Sequence, residues 1–303
     1  MGRITETMTE RAAEFIWLTG STLDQRRLAR FRGDGDRDAV LTALAAHRTA
    51  DGGYAHALEP DVKGPAPQPL SAMAALEILD EADALDQETA APICDWLLSR
   101  TAPDGGVPDL LPSISAYPHP PWVEAPPQDR GGLLTTARSA GLLLRHGIEH
   151  PWLTGATTFC RKAISELETT HPYEVFSVVR FLDHTPDRTW AQTEAERIGA
   201  LVRDGDLVLL DPANPKGIPT PPGYAEEEFT HPCEFAAEPQ SLAAGWFSKE
   251  ELAASLDHLA AEQRDDGGWP IYYRRWHPAI EQQARPGFTL AALRTLRAWD
   301  QSV

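Results

Sequence analysis

The sequence predicts an all-α protein in which about six helical hairpins close into an α/α toroid. Three observations point there. Apolar residues recur at helical spacing along most of the chain, strand-like alternation is almost absent, and Asp206 to Asp211 (Asp-Leu-Val-Leu-Leu-Asp) is the only short run that invites a strand reading. The triplet Asp-Gly-Gly appears at Asp51-Gly52-Gly53-Tyr54, Asp104-Gly105-Gly106-Val107 and Asp266-Gly267-Gly268-Trp269, each time closing an apolar helical segment. Asp51 and Asp104 lie 53 residues apart, and Asp104 and Asp266 lie 162 apart, close to three further units of that size. A unit of about 50 residues, two helices and their connections, cannot bury its own apolar face, so neighbours must stack. An open α-solenoid is the alternative architecture. One domain spanning 1–303 is expected.

Periodicity places the first six helices at 8–19, 22–32, 36–48, 69–80, 88–100 and 132–146. The second six fall at 153–168, 172–184, 188–203, 235–246, 249–264 and 287–299. Asp36 and Ser248 read as N-caps, while Pro92, Pro172 and Pro286 fall in or near first turns. Connections leaving even-numbered helices are short. Four connections leaving odd-numbered helices are long, at 49–68, 101–131, 204–234 and 265–286. In a ring of antiparallel hairpins the long set shares one rim, where long ordered loops mark a binding site or a lid.

Composition narrows the class of function. With 27 basic and 45 acidic residues the formal charge is −18, which repels nucleic acid in the absence of a segregated basic patch. No apolar run approaches the ~18 residues of a membrane span. Met1 to Glu14 lacks the apolar block after a basic region that a signal peptide has. Cys94, Cys160 and Cys233 are odd in number and far apart, against a disulfide framework and for a reducing compartment. A cytoplasmic protein is expected, its oligomeric state left open.

Chemistry-bearing residues concentrate on the long loops. Tyr54 to Pro69 interleaves His56, Glu59, Asp61 and Lys63 with prolines, and a fixed backbone around ionisable groups suits a preorganised site. Asp61 is the expected acid, with Glu59 and His56 in support; the competing reading is a helix-entry loop whose carboxylates bond backbone N–H groups. Trp269, Tyr272, Arg275, Trp276 and His277 form a second group, in which aromatic faces meet a cation or a sugar and arginine holds an anionic head group. Tyr54 joins them as a pocket wall. A third group, His231 and Glu234, immediately precedes a helix, and the acid run Glu226 to Glu228 beside it reads as solvated.

The segment Leu252 to Trp269, with Leu256, Leu259, Gln263, Gly267 and Trp269, resembles the QW repeat of terpenoid cyclases such as squalene-hopene cyclase. Related glycine-rich repeats occur in protein prenyltransferase β subunits. The match is partial at Leu41 to Tyr54 and faint at Ile93 to Val107. In such a repeat Gln263, Gly267, Gly268 and Trp269 are scaffold. The resemblance implies a central, aromatic-lined pocket for an isoprenoid or other hydrophobic small molecule, worked by acid/base chemistry. The sequence departs from the family: no Asp-x-Asp-Asp acid motif is present, and Asp34-Gly35-Asp36-Arg37-Asp38 has a different spacing. The aspartate-rich magnesium motif is also missing, and Phe288 and Thr289 stand where prenyltransferases keep a metal histidine. No metal or other cofactor is expected. A carbohydrate-active toroid, hydrolase or lyase, and a non-catalytic scaffold remain open alternatives.

Overall fold

The computed structural model describes residues 2–215, 220–221 and 223–301. The chain forms two compact units, Asp36–Glu194 and Met1–Gly35 with Ala195–Val303. Among the described residues the secondary structure is helical, and no helix is long and apolar enough to cross a membrane.

The Asp36–Glu194 unit holds α3 (Arg37–Ala45), α4 (Pro69–Glu81), α5 (Gln87–Leu98), α6 (Leu133–Arg145), α7 (Pro151–Ser165) and α8 (Pro172–His184). Asp36 caps α3 through the Ala39 amide at 2.8 Å, and Pro69, Pro151 and Pro172 occupy first helical positions, where a missing N–H costs nothing. Helices α4, α6 and α8 lie side by side, with α5 and α7 packed behind them. The α6–α8 contact is the most extensive, and Gly141 explains it. A Cβ there would stand 2.4 Å from the Arg180 carbonyl oxygen, so only glycine lets the two backbones approach. The α4–α6 pair is tied by Glu77 with Arg138 and by Asp80 with His146 at 2.6 Å.

The other unit contains α1 (Glu6–Thr19), α2 (Thr22–Arg32), α10 (Pro232–Phe235), α11 (Lys249–Ala261) and α12 (Pro278–Asp300). Its core gathers Phe15, Ile16, Leu28, Phe31, Leu256, Trp269, Leu290 and Leu293. Between the two sets the chain runs as α9 (Arg188–Asp204).

The Asp-Gly-Gly triplets fold into one turn built three times. In each, the aspartate accepts the amide of the second glycine, at 3.3, 3.1 and 3.0 Å for Asp51, Asp104 and Asp266. The first glycine is left-handed in each, with φ of 92° at Gly52, 92° at Gly105 and 91° at Gly267. The turn closes by Thr49 N–H to Gly53 O, Ala102 N–H to Gly106 O and Arg264 N–H to Gly268 O. Beside it lies a second helix, whose backbone approaches the first glycine at Pro92, Gly155 or Arg11. Four residues further on, that helix lays an aromatic ring over the second glycine: Trp96, Phe159 or Phe15. The recurrence in sequence is thus a recurrence in structure, and the ring that completes each turn comes from the adjacent helix.

Three segments differ from the sequence reading. The helix expected at 235–246 is instead the short α10 and a 3₁₀ turn, Leu242–Trp246, because Pro239 interrupts the run and restricts the residue before it. Helix α12 begins at Pro278 rather than 287 and passes through Pro286, its start fixed by His277 Nδ1 accepting the Ala279 amide at 3.1 Å. Asp206 to Asp211 is irregular; its apolar character comes from burial of Val208 and Leu209.

Candidate active site

Two loops of the Asp36–Glu194 unit meet at the N-terminal ends of α4 and α6. Gln68, the residue before α4, donates to Ser113 Oγ at 2.8 Å and accepts from the Leu111 amide at 2.7 Å. Val62 packs with Leu110 and Ile114, and the Tyr117 ring covers Gly64. The expected convergence of long loops holds for this pair.

Within the first loop, residues 56–64 form a closed excursion. His56 N–H donates to Gly64 O at 2.9 Å and Val62 N–H to Glu59 O at 2.9 Å. His56 and Ala57 are both left-handed, each at φ 57°, a conformation that non-glycine residues adopt at a cost of order 1–2 kcal/mol each. That strain holds Glu59, Asp61 and Lys63 on one short arc. The Asp61 amide reaches Glu59 Oε1 at 3.5 Å. Burial, reinforced by the Asp61 charge, pushes the Glu59 carboxyl up to about 7, with Glu77 adding a smaller push. Burial also lowers Lys63, against the charges of Asp61 and Glu59. The His56 ring is exposed, and this residue contributes its backbone rather than a bond to either carboxyl.

A second polar cluster, not singled out from the sequence, lies at the ends of α6 and α8. Asp109 accepts the Thr135 amide at 2.9 Å, and Glu174 accepts the Thr170 hydroxyl at 2.9 Å. Burial raises both carboxyls, opposed first by hydrogen bonds from the Thr135 amide and hydroxyl to Asp109 and from the Thr170 hydroxyl to Glu174, and then by the His171 charge. Two signals were legible. Asp109 follows the second Asp-Gly-Gly turn at the position His56 takes after the first, and His-Pro-x-Glu occurs both at His171–Glu174 and at His231–Glu234.

The structure gives scaffold roles to much of the second expected group. Trp269 is 2% exposed and donates Nε1–H to Leu259 O at 2.7 Å, so it is core rather than pocket wall. Tyr54 is likewise buried. Arg275 pairs with Glu281, and His277 caps α12. Tyr272 is exposed, and Trp276 is partly buried with its ring 6.1 Å from that of His277. Gln263 bonds Met8 O and Gly267 O, both at 2.9 Å, as a scaffold glutamine should.

In the third group, His231 lies with its ring 4.6 Å from that of His258, and Glu234 accepts the His231 amide at 2.6 Å. Glu234 is pushed up to about 7 by desolvation of its carboxyl, although the residue keeps accessible surface. Cys233 is buried, which pushes its thiol up to about 12. Burial, then the His258 charge, holds His231 down at about 4. The fold therefore keeps this imidazole neutral while an unfolded chain protonates it. Its stabilising contribution is complete above the ordinary histidine value of ~6.5 and is lost as pH falls toward 4. His231→Gln is expected to flatten the loss of stability across that window. An unchanged pH profile of denaturant unfolding would refute the assignment.

No family model matches this sequence, and no curated protein matches it. Solved structures do. A protein from Actinoplanes is 18% identical with a TM-score of 0.54, over 96% of this chain and 88% of that one. A variant of the type II terpene cyclase MstE from Scytonema, in complex with geranylgeranyl dihydroxybenzoate, is 15% identical with a TM-score of 0.52, over 97% and 87%. Another MstE variant, bound to the product merosterolic acid A, is 12% identical with a TM-score of 0.51, over 98% and 87%. The fold is that of the α/α toroids. At these identities the likeness carries no chemistry with it.

Proposed function

We propose that this chain is an enzyme that applies acid/base chemistry to a hydrophobic small molecule, with Glu59 as proton donor and Asp61 as its charged partner. The observation that carries the reading is the 56–64 loop, where a strained backbone holds two carboxyls together on a half-buried arc. A proton donor works best when its pKa lies near the operating pH, and Glu59 meets that condition. The roles are exchanged relative to the sequence reading, which made Asp61 the acid. An isoprenoid is the substrate class to try first, since the Scytonema cyclase of the same fold was captured with geranylgeranyl dihydroxybenzoate.

A second reading, hydrolysis or elimination on a carbohydrate, draws on the additional carboxyl pair Asp109 and Glu174. One experiment separates the two. The protein is incubated with geranylgeranyl aryl compounds and with an oligosaccharide panel, and products are followed by mass spectrometry. An isomeric cyclised product that Glu59→Gln abolishes supports the first reading. New reducing or unsaturated sugar ends support the second.

A further inference from the structure

We propose that this chain pairs with a second copy of itself by packing α1 antiparallel against α1 of that copy, each Trp17 and Leu18 entering a recess beside the other's Glu10. This goes beyond the acid/base reading of Glu59 and does not depend on it.

Exposed apolar surface provides the first argument. Helix α1 has two faces. Ala12, Ala13, Phe15 and Ile16 are buried in the core of their own unit. On the opposite face Thr7, Glu10, Arg11, Glu14, Trp17 and Leu18 recur at spacings of three and four, so they form one stripe, ~16 Å long. Trp17 is 51% exposed and Leu18 78%, the two most exposed large hydrophobic side chains among the described residues. Neighbouring apolar side chains left open to that degree mark an interaction surface.

Shape provides the second. A mostly apolar recess of about 610 Å³ runs along the stripe, and its other wall is the end of α2, formed by Ala29, Arg32 and Asp34. Arg32 bonds Glu10 at 2.9 Å, so this wall stands beside the first half of α1, whereas Trp17 and Leu18 lie at the far end. The stripe therefore has a hollow at one end and a projection at the other. Such a surface fits a second copy turned end for end, because a two-fold axis brings each projection to the other copy's hollow. There Trp17 meets the Arg32 guanidinium, held in place by Glu10 and Asp34, and a guanidinium suits the face of an indole.

Charge supplies the third. An antiparallel pairing that uses the whole stripe sets Leu18 against Thr7 of the second copy. The same register sets Arg11 against Glu14, and the two-fold axis repeats that ion pair. A parallel pairing would set Glu14 against Glu14 and Arg11 against Arg11. Glu14 is exposed. Arg11 donates to Arg264 O and Gln263 Oε1, but a guanidinium carries five N–H donors and can also meet a carboxylate.

Sedimentation equilibrium of the full chain from about 1 to 300 μM tests association. Two such stripes make a small interface, under about 1,200 Å² in total, so a reversible dimer with a Kd of order 10 μM is expected. Trp17→Glu and Leu18→Glu should each weaken it at least about tenfold, with the helical circular dichroism unchanged because both side chains are exposed. Glu14→Arg should weaken it by a similar factor, although lowering the net charge of −18 by itself favours association. Cross-linking reads the register. The chain's own cysteines are buried, so a short bismaleimide couples introduced thiols. Thr7→Cys combined with Leu18→Cys should give covalent dimers. Leu18→Cys alone should not, since the two copies of residue 18 would stand ~16 Å apart. A monomer at every concentration would overturn the proposal and leave the groove to a different partner. So would a dimer that tolerates both Trp17→Glu and Leu18→Glu, or equal cross-linking by Leu18→Cys alone. None of these outcomes bears on turnover through Glu59.

Discussion

Gly267→Ala is expected to cost more than about 3 kcal/mol, a large part of the 5–15 kcal/mol that typically stabilises a domain. Gly267 is left-handed at φ 91°, and a Cβ placed on it would stand 2.1 Å from the Arg11 carbonyl oxygen. The conformational term alone is about 1–2 kcal/mol. The collision adds to it because a backbone atom within α1 cannot rotate away as a side chain could. Relief would require α1 to move, and Arg11 is also tied to the turn by a 2.6 Å bond to Arg264 O. The same movement would open the pair that Arg285 makes with both oxygens of Asp266 at 2.7 Å, and the Arg285 bond to Trp269 O. Gly33→Ala isolates the conformational term, since Gly33 has φ 85° and nothing lies within 4 Å of where a methyl group would sit. That variant should lose about 1 kcal/mol. Denaturant unfolding of the two variants gives the comparison, and equal losses would show that the turn does not depend on contact with α1.

The same turn shows how much of the molecule is legible in the sequence. Three Asp-Gly-Gly triplets predict a repeated junction, and the structure builds one turn three times, because a left-handed glycine and a short aspartate cap are conditions few other residues meet. The ring over each second glycine is not legible, since Trp96, Phe159 and Phe15 lie on other helices and no local pattern ties them to the turn. Proline misleads in both directions: Pro286 continues α12, whereas Pro239 breaks the run expected at 235–246. At the candidate site, Glu59, Asp61 and Lys63 are visible as ionisable groups among prolines. Which carboxyl keeps its proton is not, because that depends on burial and on which backbone amide faces which oxygen. Trp269, Arg275 and His277 mislead for a related reason. An aromatic or basic residue on a loop looks available until its partner is known, and here the partners are Leu259 O, Glu281 and the start of α12.

Glu59→Gln is expected to reduce turnover by about 10²–10⁴-fold, the range for losing a positioned general acid, without lowering stability at pH 8. The two halves of that expectation share one cause. In the folded protein Glu59 is raised from 4.5 to about 7. Below pH 4.5 the group is protonated whether the chain is folded or not, and its contribution to stability is fully present. As pH rises from 4.5 to 7 the unfolded chain gives up this proton while the fold retains it, so stability falls, and above 7 the loss is complete. After discounting for partial solvent screening, the loss is about 1–2 kcal/mol. Glutamine cannot ionise, so the variant should lack this slope and be at least as stable as the wild type at pH 8. A carboxylate whose role is to hold the loop together would show the reverse. Turnover by the wild type should decline above pH 7 as the donor loses its proton, and Asp61→Asn should move that decline to lower pH, because the neighbouring negative charge no longer holds the proton on. If Asp61→Asn leaves the alkaline limb where it is, the proton that matters sits elsewhere and Glu59 is not the donor.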